Sequence, residues 1–182
     1  LAQIGAFNIH PSLLPKYRGP SPLQSQILAD EKERGVSVIK MDERVDHGPI
    51  LASSSFDDTD RSFIELGIEL FKAGTKLLIN ELPRLMNGEA KLRIQNDTHA
   101  TFTKKFEKTD GALDPEGGRE AWLKYLALSH SPGAYFTFRE KSGGVRLKIT
   151  AAKFEAGRFV PLRVIPEAKR EMSYQDFLRG HK

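Results

Sequence analysis

An α/β unit over residues 1–90, a linker at 91–100 and a small β-barrel carrying one helix over 101–182 make up the architecture that the sequence predicts. Three observations predict it. Apolar residues follow strand and helix periods in turn as far as Met86. A polar stretch without a clear period follows Asn87-Gly88. Beyond residue 100 the segments are short, alternating and bounded by turn residues.

The first element is the end of a strand, because Ala6-Phe7-Asn8-Ile9-His10 alternates apolar and polar residues. Pro11, Pro15, Gly19, Pro20 and Pro22 then stiffen a loop. Ser21 before Pro22 suits an N-cap and first helical position, and Leu23, Ile27 and Leu28 form the apolar stripe of a helix of about two turns. Gly35 is expected to end a turn at Glu31–Arg34, with a strand at Val36–Met41 and a charged loop at Asp42–Gly48 behind it. Pro49-Ile50-Leu51-Ala52 is an apolar run. The segment Asp57–Asp60 offers N-caps for a helix over Arg61–Met86, whose Ile64, Ile68, Phe71, Leu78, Leu82 and Leu85 recur at helical spacing. Gly67, Gly74 and Pro83 predict that this helix is broken or kinked. In the last part, strands are expected at Thr101–Phe106, Ala134–Arg139, Val145–Ile149, Ala151–Phe154 and Phe159–Ile165. Their turns fall at Ser142-Gly143-Gly144 and Ala156-Gly157, and a single helix is expected at Arg119–Ser129.

Hydrophobic residues make up 39% and charged residues 29%, the balance of an ordinary globular chain. No apolar run approaches the ~20 residues of a membrane-spanning helix, and no secretory signal is legible, so a cytoplasmic chain without a membrane partner is expected; a monomer is the expected state. With no cysteine, disulfides, a thiol nucleophile and thiolate metal sites are excluded. Residues 1–99 carry 12 Lys and Arg against 14 Asp and Glu, a net −2, whereas residues 100–182 carry 16 against 10, a net +6. That asymmetry points to a polyanionic partner for the second part.

Asn8, His10 and Asp46 stand out as chemistry-bearing residues. Asn8 and His10 lie two apart at a strand end and project to one side. Asp46 follows the next strand. If the two strands are neighbours, their C-terminal ends meet at the crevice where open α/β sheets bind ligands. Such a trio can polarise a carbonyl, stabilise an oxyanion and move a proton. The residues alone leave a satisfied turn open as the alternative reading. His10 and His47 with Asp42 or Asp46 lack the compact spacing of a metal site, and none is expected.

Asn8-Ile9-His10-Pro11-Ser12-Leu13-Leu14-Pro15-Lys16-Tyr17-Arg18-Gly19 resembles the Asn-x-His-x-Ser-Leu-Leu-Pro loop of folate-dependent formyltransferases. The stretch Gly35–Asp42, continuing through Val45-Asp46-His47-Gly48-Pro49-Ile50-Leu51, resembles their second signature, which ends in Asp-x-Gly. The resemblance implies that Asn8, His10 and Asp46 are catalytic and that Asp42, Glu43, Arg44 and Val45 line the pteridine pocket of 10-formyltetrahydrofolate. It assigns substrate contacts to Ser12, Leu13, Leu14, Pro15 and Arg18. Family members carry further β-α units before the Asn-x-His strand. The chain therefore reads as the C-terminal part of a Rossmann-like formyltransferase domain, followed by an OB-like barrel, with little or no activity expected of it alone.

Within the family, the close at Pro166–Ser173 and Asp176–Gly180 resembles methionyl-tRNA formyltransferases, as do Thr101–Lys105 and Pro132-Gly133-Ala134-Tyr135. That resemblance implies initiator methionyl-tRNA as the acceptor. Lys104 and Lys105 are expected to contact it, with Lys108, Arg139, Lys141, Arg146 and Lys148 as further candidates for its phosphates. A sugar-nucleotide N-formyltransferase, and a tRNA-binding module with a catalytic remnant, stand as the alternatives.

Overall fold

The computed structural model describes residues 5–57, 60–140 and 143–181. Leu1, the proposed N-caps Asp58 and Thr59, the proposed phosphate contact Lys141 and Ser142 of the proposed hairpin turn lie outside them. The chain divides into two compact units, one ending at Lys105 and one starting at Phe106.

In the first unit, strands β1 (Phe7–His10), β2 (Glu33–Lys40) and β3 (Ile50–Asp57) form a sheet in that order, with helices α1 (Pro22–Leu28) and α2 (Phe63–Met86) beside it. The three described strands are antiparallel: Asn8 pairs with Ile39 and His10 with Ser37. This corrects the expectation, drawn from a Rossmann-like order, that the C-terminal ends of the two strands meet. The apolar run Ile50–Ala52 opens the full strand β3, whose run of small Ser residues hid its alternation. Gly35 lies inside β2 rather than closing a turn, because a side chain there would strike Leu13 and the Ser54 carbonyl, 2.4 and 2.5 Å from its Cβ.

Helix α2 is continuous from Phe63 to Met86, against the expected break. Ser62 caps it: its hydroxyl accepts from the Glu65 amide, and the Ser62 amide donates to the Glu65 carboxylate at 2.9 Å. Gly74 lets the helix sit down on the sheet, since a Cβ there would come within 2.3 Å of Ile9 and 2.9 Å of Val36. Pro83 is tolerated three residues from the helix end. The helix face with Leu66 and Leu70 is fully buried, while Ile64, Ile68, Phe71, Ile79 and Met86 are exposed.

The segment expected as a linker belongs to the first unit. Arg93 and Ile50 exchange two backbone hydrogen bonds of 2.8 Å, Gln95 is buried, and Thr101 and Thr103 bond to the loop at Tyr17, Arg18 and Ser21. Thr101–Phe106 is not a strand; one bridge joins Phe102 to Arg18.

The second unit is a meander of β4 (Tyr135–Glu140), β5 (Gly143–Glu155), β6 (Arg158–Pro166) and β7 (Met172–Ser173), with α3 (Gly118–Leu128) and α4 (Tyr174–Arg179) packed on it. Its core gathers Leu113, Phe136, Leu147, Ile149, Phe159, Val164 and Phe177. The two strands expected at 145–149 and 151–154 are one strand. The register slips around Thr150, moving the inward side from Leu147 and Ile149 to Ala152, which mimics a break in the sequence pattern. Among the described residues no ladder joins β4 to β7, so the sheet is open where an OB-like barrel was expected.

Candidate active site

Asp46 is the hub of the first unit's polar site. Its Oδ1 accepts from Asn8 Nδ2 at 3.2 Å, and its Oδ2 accepts from the Gly19 amide at 2.9 Å while standing 3.5 Å from His10 Nδ1. Because β1 and β2 run in opposite directions, the meeting depends on the loop after β2 folding back across β1. Asp46 adopts a left-handed backbone, φ 48°, which costs an L-residue and must be held by its surroundings.

Gln95 supplies that restraint. Its Nε2 donates to the carbonyls of Asp46 and Gly48 at 2.9 and 2.8 Å, and its Oε1 accepts from Arg18 Nε and Nη2 at 3.1 and 2.7 Å. Arg18 Nη2 also donates to Asp97 Oδ1 at 2.8 Å. One buried amide thus ties the Asp46 loop to the loop that presents Gly19.

His10 is buried, and its Nε2 lies 3.0 Å from the Tyr17 carbonyl. A carbonyl only accepts, so Nε2 carries hydrogen and Nδ1 is the nitrogen that gains or loses a proton beside Asp46. Burial pushes the imidazole below its ordinary range; the Asp46 carboxylate and the Tyr17 carbonyl pull the other way and are outweighed. Folded chain therefore binds this proton less readily than unfolded chain. The stability that neutral His10 contributes is complete above the ordinary value of 6.5 and is lost as pH falls through the lower folded value. Between about pH 7.5 and about pH 5.5, the His10→Asn variant is expected to lose less thermal stability than the parent. An equal or larger loss contradicts the assignment.

Two clefts meet at this hub. One, of about 270 Å³, is lined by Asn8, Ile39, Met41, Asp42, Glu43, Arg44, Val45 and Asp46. The other, of about 380 Å³, is lined by Asn8, His10, Gly19, Pro20, Asp46, Phe63 and Phe71, among others. Asn8 and Asp46 belong to both walls. In the first cleft Asp42 accepts from the Arg44 amide at 3.0 Å and sits 2.6 Å from His47 Nδ1; His47 first, then the Arg44 amide, hold its carboxyl below the usual range. Glu43, Arg44 and Val45 are exposed, and Arg44 lies 3.6 Å from Asp97.

Other residues assigned to substrate are turned inward. Ser12 and Leu14 are buried: the Ser12 hydroxyl donates to the Lys16 carbonyl at 2.7 Å, and the Leu14 amide donates to Ser37. Arg18 is only 3% exposed and is held by Gln95 and Asp97, so it braces the loop instead of meeting a substrate. Leu13 and Pro15 line a separate cleft with Tyr17, whose phenol donates to Glu31 at 2.7 Å; burial first, then Glu31, raise its pKa. Lys104 and Lys105 are exposed and line neither cleft at the hub. Gly19 and Gln95 escaped the sequence reading, Gln95 because it falls in the polar stretch taken for a linker. Among the described residues no His, Asp and Glu side chains form a metal-ligating group, and no helix is long and apolar enough to cross a membrane.

Comparison with known proteins adds the family. The formyl transferase family profile matches residues 2–63. A methionyl-tRNA formyltransferase of Dictyoglomus turgidum is 32% identical over 98% of this chain and 65% of its own length. One of Chloroflexus aggregans is 46% identical over 61% of this chain and 36% of its own. The solved structure of the methionyl-tRNA formyltransferase from Clostridium thermocellum matches 92% of this chain and 68% of its own, with a TM-score of 0.64 at 21% identity, a likeness of fold. The chain spans between about a third and two thirds of the length of these two curated relatives. With its two signatures folded into one polar site, the chain belongs to the formyltransferase family.

Proposed function

We propose that this chain carries the reacting centre and acceptor-binding part of an enzyme that moves a formyl group from 10-formyltetrahydrofolate to the amino group of methionyl-tRNA. The observation that carries the reading is the convergence of Asn8, His10 and Asp46: Asn8 and Asp46 line both clefts, and His10 faces the larger one beside them. A donor in one cleft and an amine in the other would face each other across that wall. The cleft with exposed Met41 and Val45 and the backbone of 42–45 suits a flat heteroaromatic ring with polar edges.

The amine nitrogen attacks the formyl carbon, the bond from that carbon to the folate nitrogen breaks, and one proton passes from the amine to that nitrogen. Asn8 has a second amide hydrogen besides the one given to Asp46, and in this reading that hydrogen stabilises the charge growing on the formyl oxygen. His10 Nδ1 takes the amine proton, with Asp46 at 3.5 Å stabilising the cation formed, and returns it to the leaving nitrogen. A pKa held low keeps Nδ1 free to accept.

The second unit is read as the OB-like module that binds tRNA through its phosphates, supported by the net +4 of residues 106–182, 14 Lys and Arg against 10 Asp and Glu. Mass detection of the formylated product is the test. It is run on the chain alone and on the chain extended by the part of a longer relative that it does not span, with methionyl-tRNA and an amino-sugar nucleotide as rival acceptors. The extended chain is expected to formylate methionyl-tRNA. Formylation of the sugar nucleotide alone overturns the acceptor assignment.

A further inference from the structure

The outer face of the β4–β5 ribbon carries an arrangement that formyl transfer does not use. Tyr135 pairs with Lys148 and Thr137 with Arg146 across the ladder, so these side chains share one face, while Phe136, Leu147 and Ile149 fill the core on the other. The Arg146 guanidinium carbon lies over the Tyr135 ring, 3.7 Å from the ring centre. Arg139, Arg146 and Lys148 enter no ion pair among the described residues, although Lys153 farther along β5 pairs with Glu155 and Arg163 on β6 with Glu171. Cations on an ordered strand with no carboxylate partner among the described residues keep their charge for a ligand.

Beside them is a cleft of about 270 Å³ lined by Pro132, Tyr135, Arg146, Lys148, Ile165 and Glu167, among others. Its rim is fixed: the Glu167 amide donates to the Arg146 carbonyl at 3.0 Å and the Lys169 amide to the Pro166 carbonyl at 3.0 Å. Glu167 is the one carboxylate among the described lining residues, an acceptor at the edge of a basic and aromatic recess.

We propose that this cleft is a nucleotide subsite for an RNA strand. One base stacks on the open side of the Tyr135–Arg146 pair, with its exocyclic amino group donating to Glu167, and the flanking phosphates lie on Lys148 and Arg139. Stacked arginine and tyrosine planes offer a base a sequence-tolerant surface, and the strand geometry places cations at its border. The inference rests on the reading of the acceptor as RNA and adds where, and by which chemistry, the second unit holds it.

The experiment measures binding of a fluorescein-labelled tRNA transcript to the full 182-residue chain by anisotropy, at about 50 mM and about 200 mM salt. Arg146→Lys keeps the charge and removes the plane, so affinity should fall about tenfold with the salt slope unchanged. Tyr135→Leu should act alike, and Tyr135→Phe should retain affinity, which separates the stack from a folding defect. Lys148→Ala should lower the log–log salt slope by somewhat under one unit, and Lys153→Ala should change nothing. If the chain binds but Arg146→Lys, Tyr135→Leu and Lys148→Ala all match Lys153→Ala, the subsite is overturned and the RNA reading stands. If the unaltered chain fails to bind at low salt, both fall.

Discussion

His10→Ala is expected to lower kcat for formyl transfer by about 10²–10⁴-fold, with KM for either substrate changing by much less. The imidazole is buried, so its removal takes no exposed binding surface from the substrates. What it removes is a proton acceptor beside Asp46, and that interaction grows as the amine gives up its proton. Loss of an interaction made mainly in the transition state appears in kcat. Rapid-quench single-turnover rates on a formyl-transferring polypeptide that carries this sequence provide the measurement. A KM rise with unchanged kcat would mean that His10 only shapes the cleft.

Gln95→Ala should have the largest effect on stability, about 3–5 kcal/mol lost, because it strands the Asp46 and Gly48 carbonyls and one face of the buried Arg18 guanidinium together. For a unit of this size that corresponds to a drop of more than about 10 °C in its melting temperature. Gln95→Glu separates the two halves of the role. A carboxylate still accepts from Arg18 but cannot donate to the two carbonyls, so the unit should stay folded while Asp46 loses its left-handed conformation. The Gly19 amide proton, which donates to Asp46 Oδ2, reports this directly. Its chemical shift should move upfield in Gln95→Glu, and an unmoved shift shows that Asp46 holds its place without Gln95.

What could be read beforehand, and what could not, follows from the range of the interactions. Asn8, His10 and Asp46 lie in two local signatures, so their identity was visible even though the antiparallel pairing that brings them together was not. Arg18 was expected at the substrate because the resemblance of its loop assigned it there. Its partners Gln95 and Asp97 come from the other end of the unit, and no local pattern announces a bond across 77 residues. The glycines of α2 mislead for a related reason: helix propensity counts Gly74 as a weakness, whereas contact with Ile9 and Val36 requires it. The strand β5 was divided in two because a slip in register looks like a break when only alternation is observed.

If Asn8, His10 and Asp46 act as one unit on the formyl group, their substitutions are not additive. Single-turnover formyl transfer to methionyl-tRNA is measured for Asn8→Ala, His10→Ala, Asp46→Asn and the triple variant in one polypeptide carrying this sequence. Residues that work as a unit lose nearly everything on the first substitution, so the triple variant should be little slower than His10→Ala, within about tenfold. Losses that multiply, with each substitution lowering the rate by its own full factor, would show three independent contributions and contradict the shared site built around Asp46.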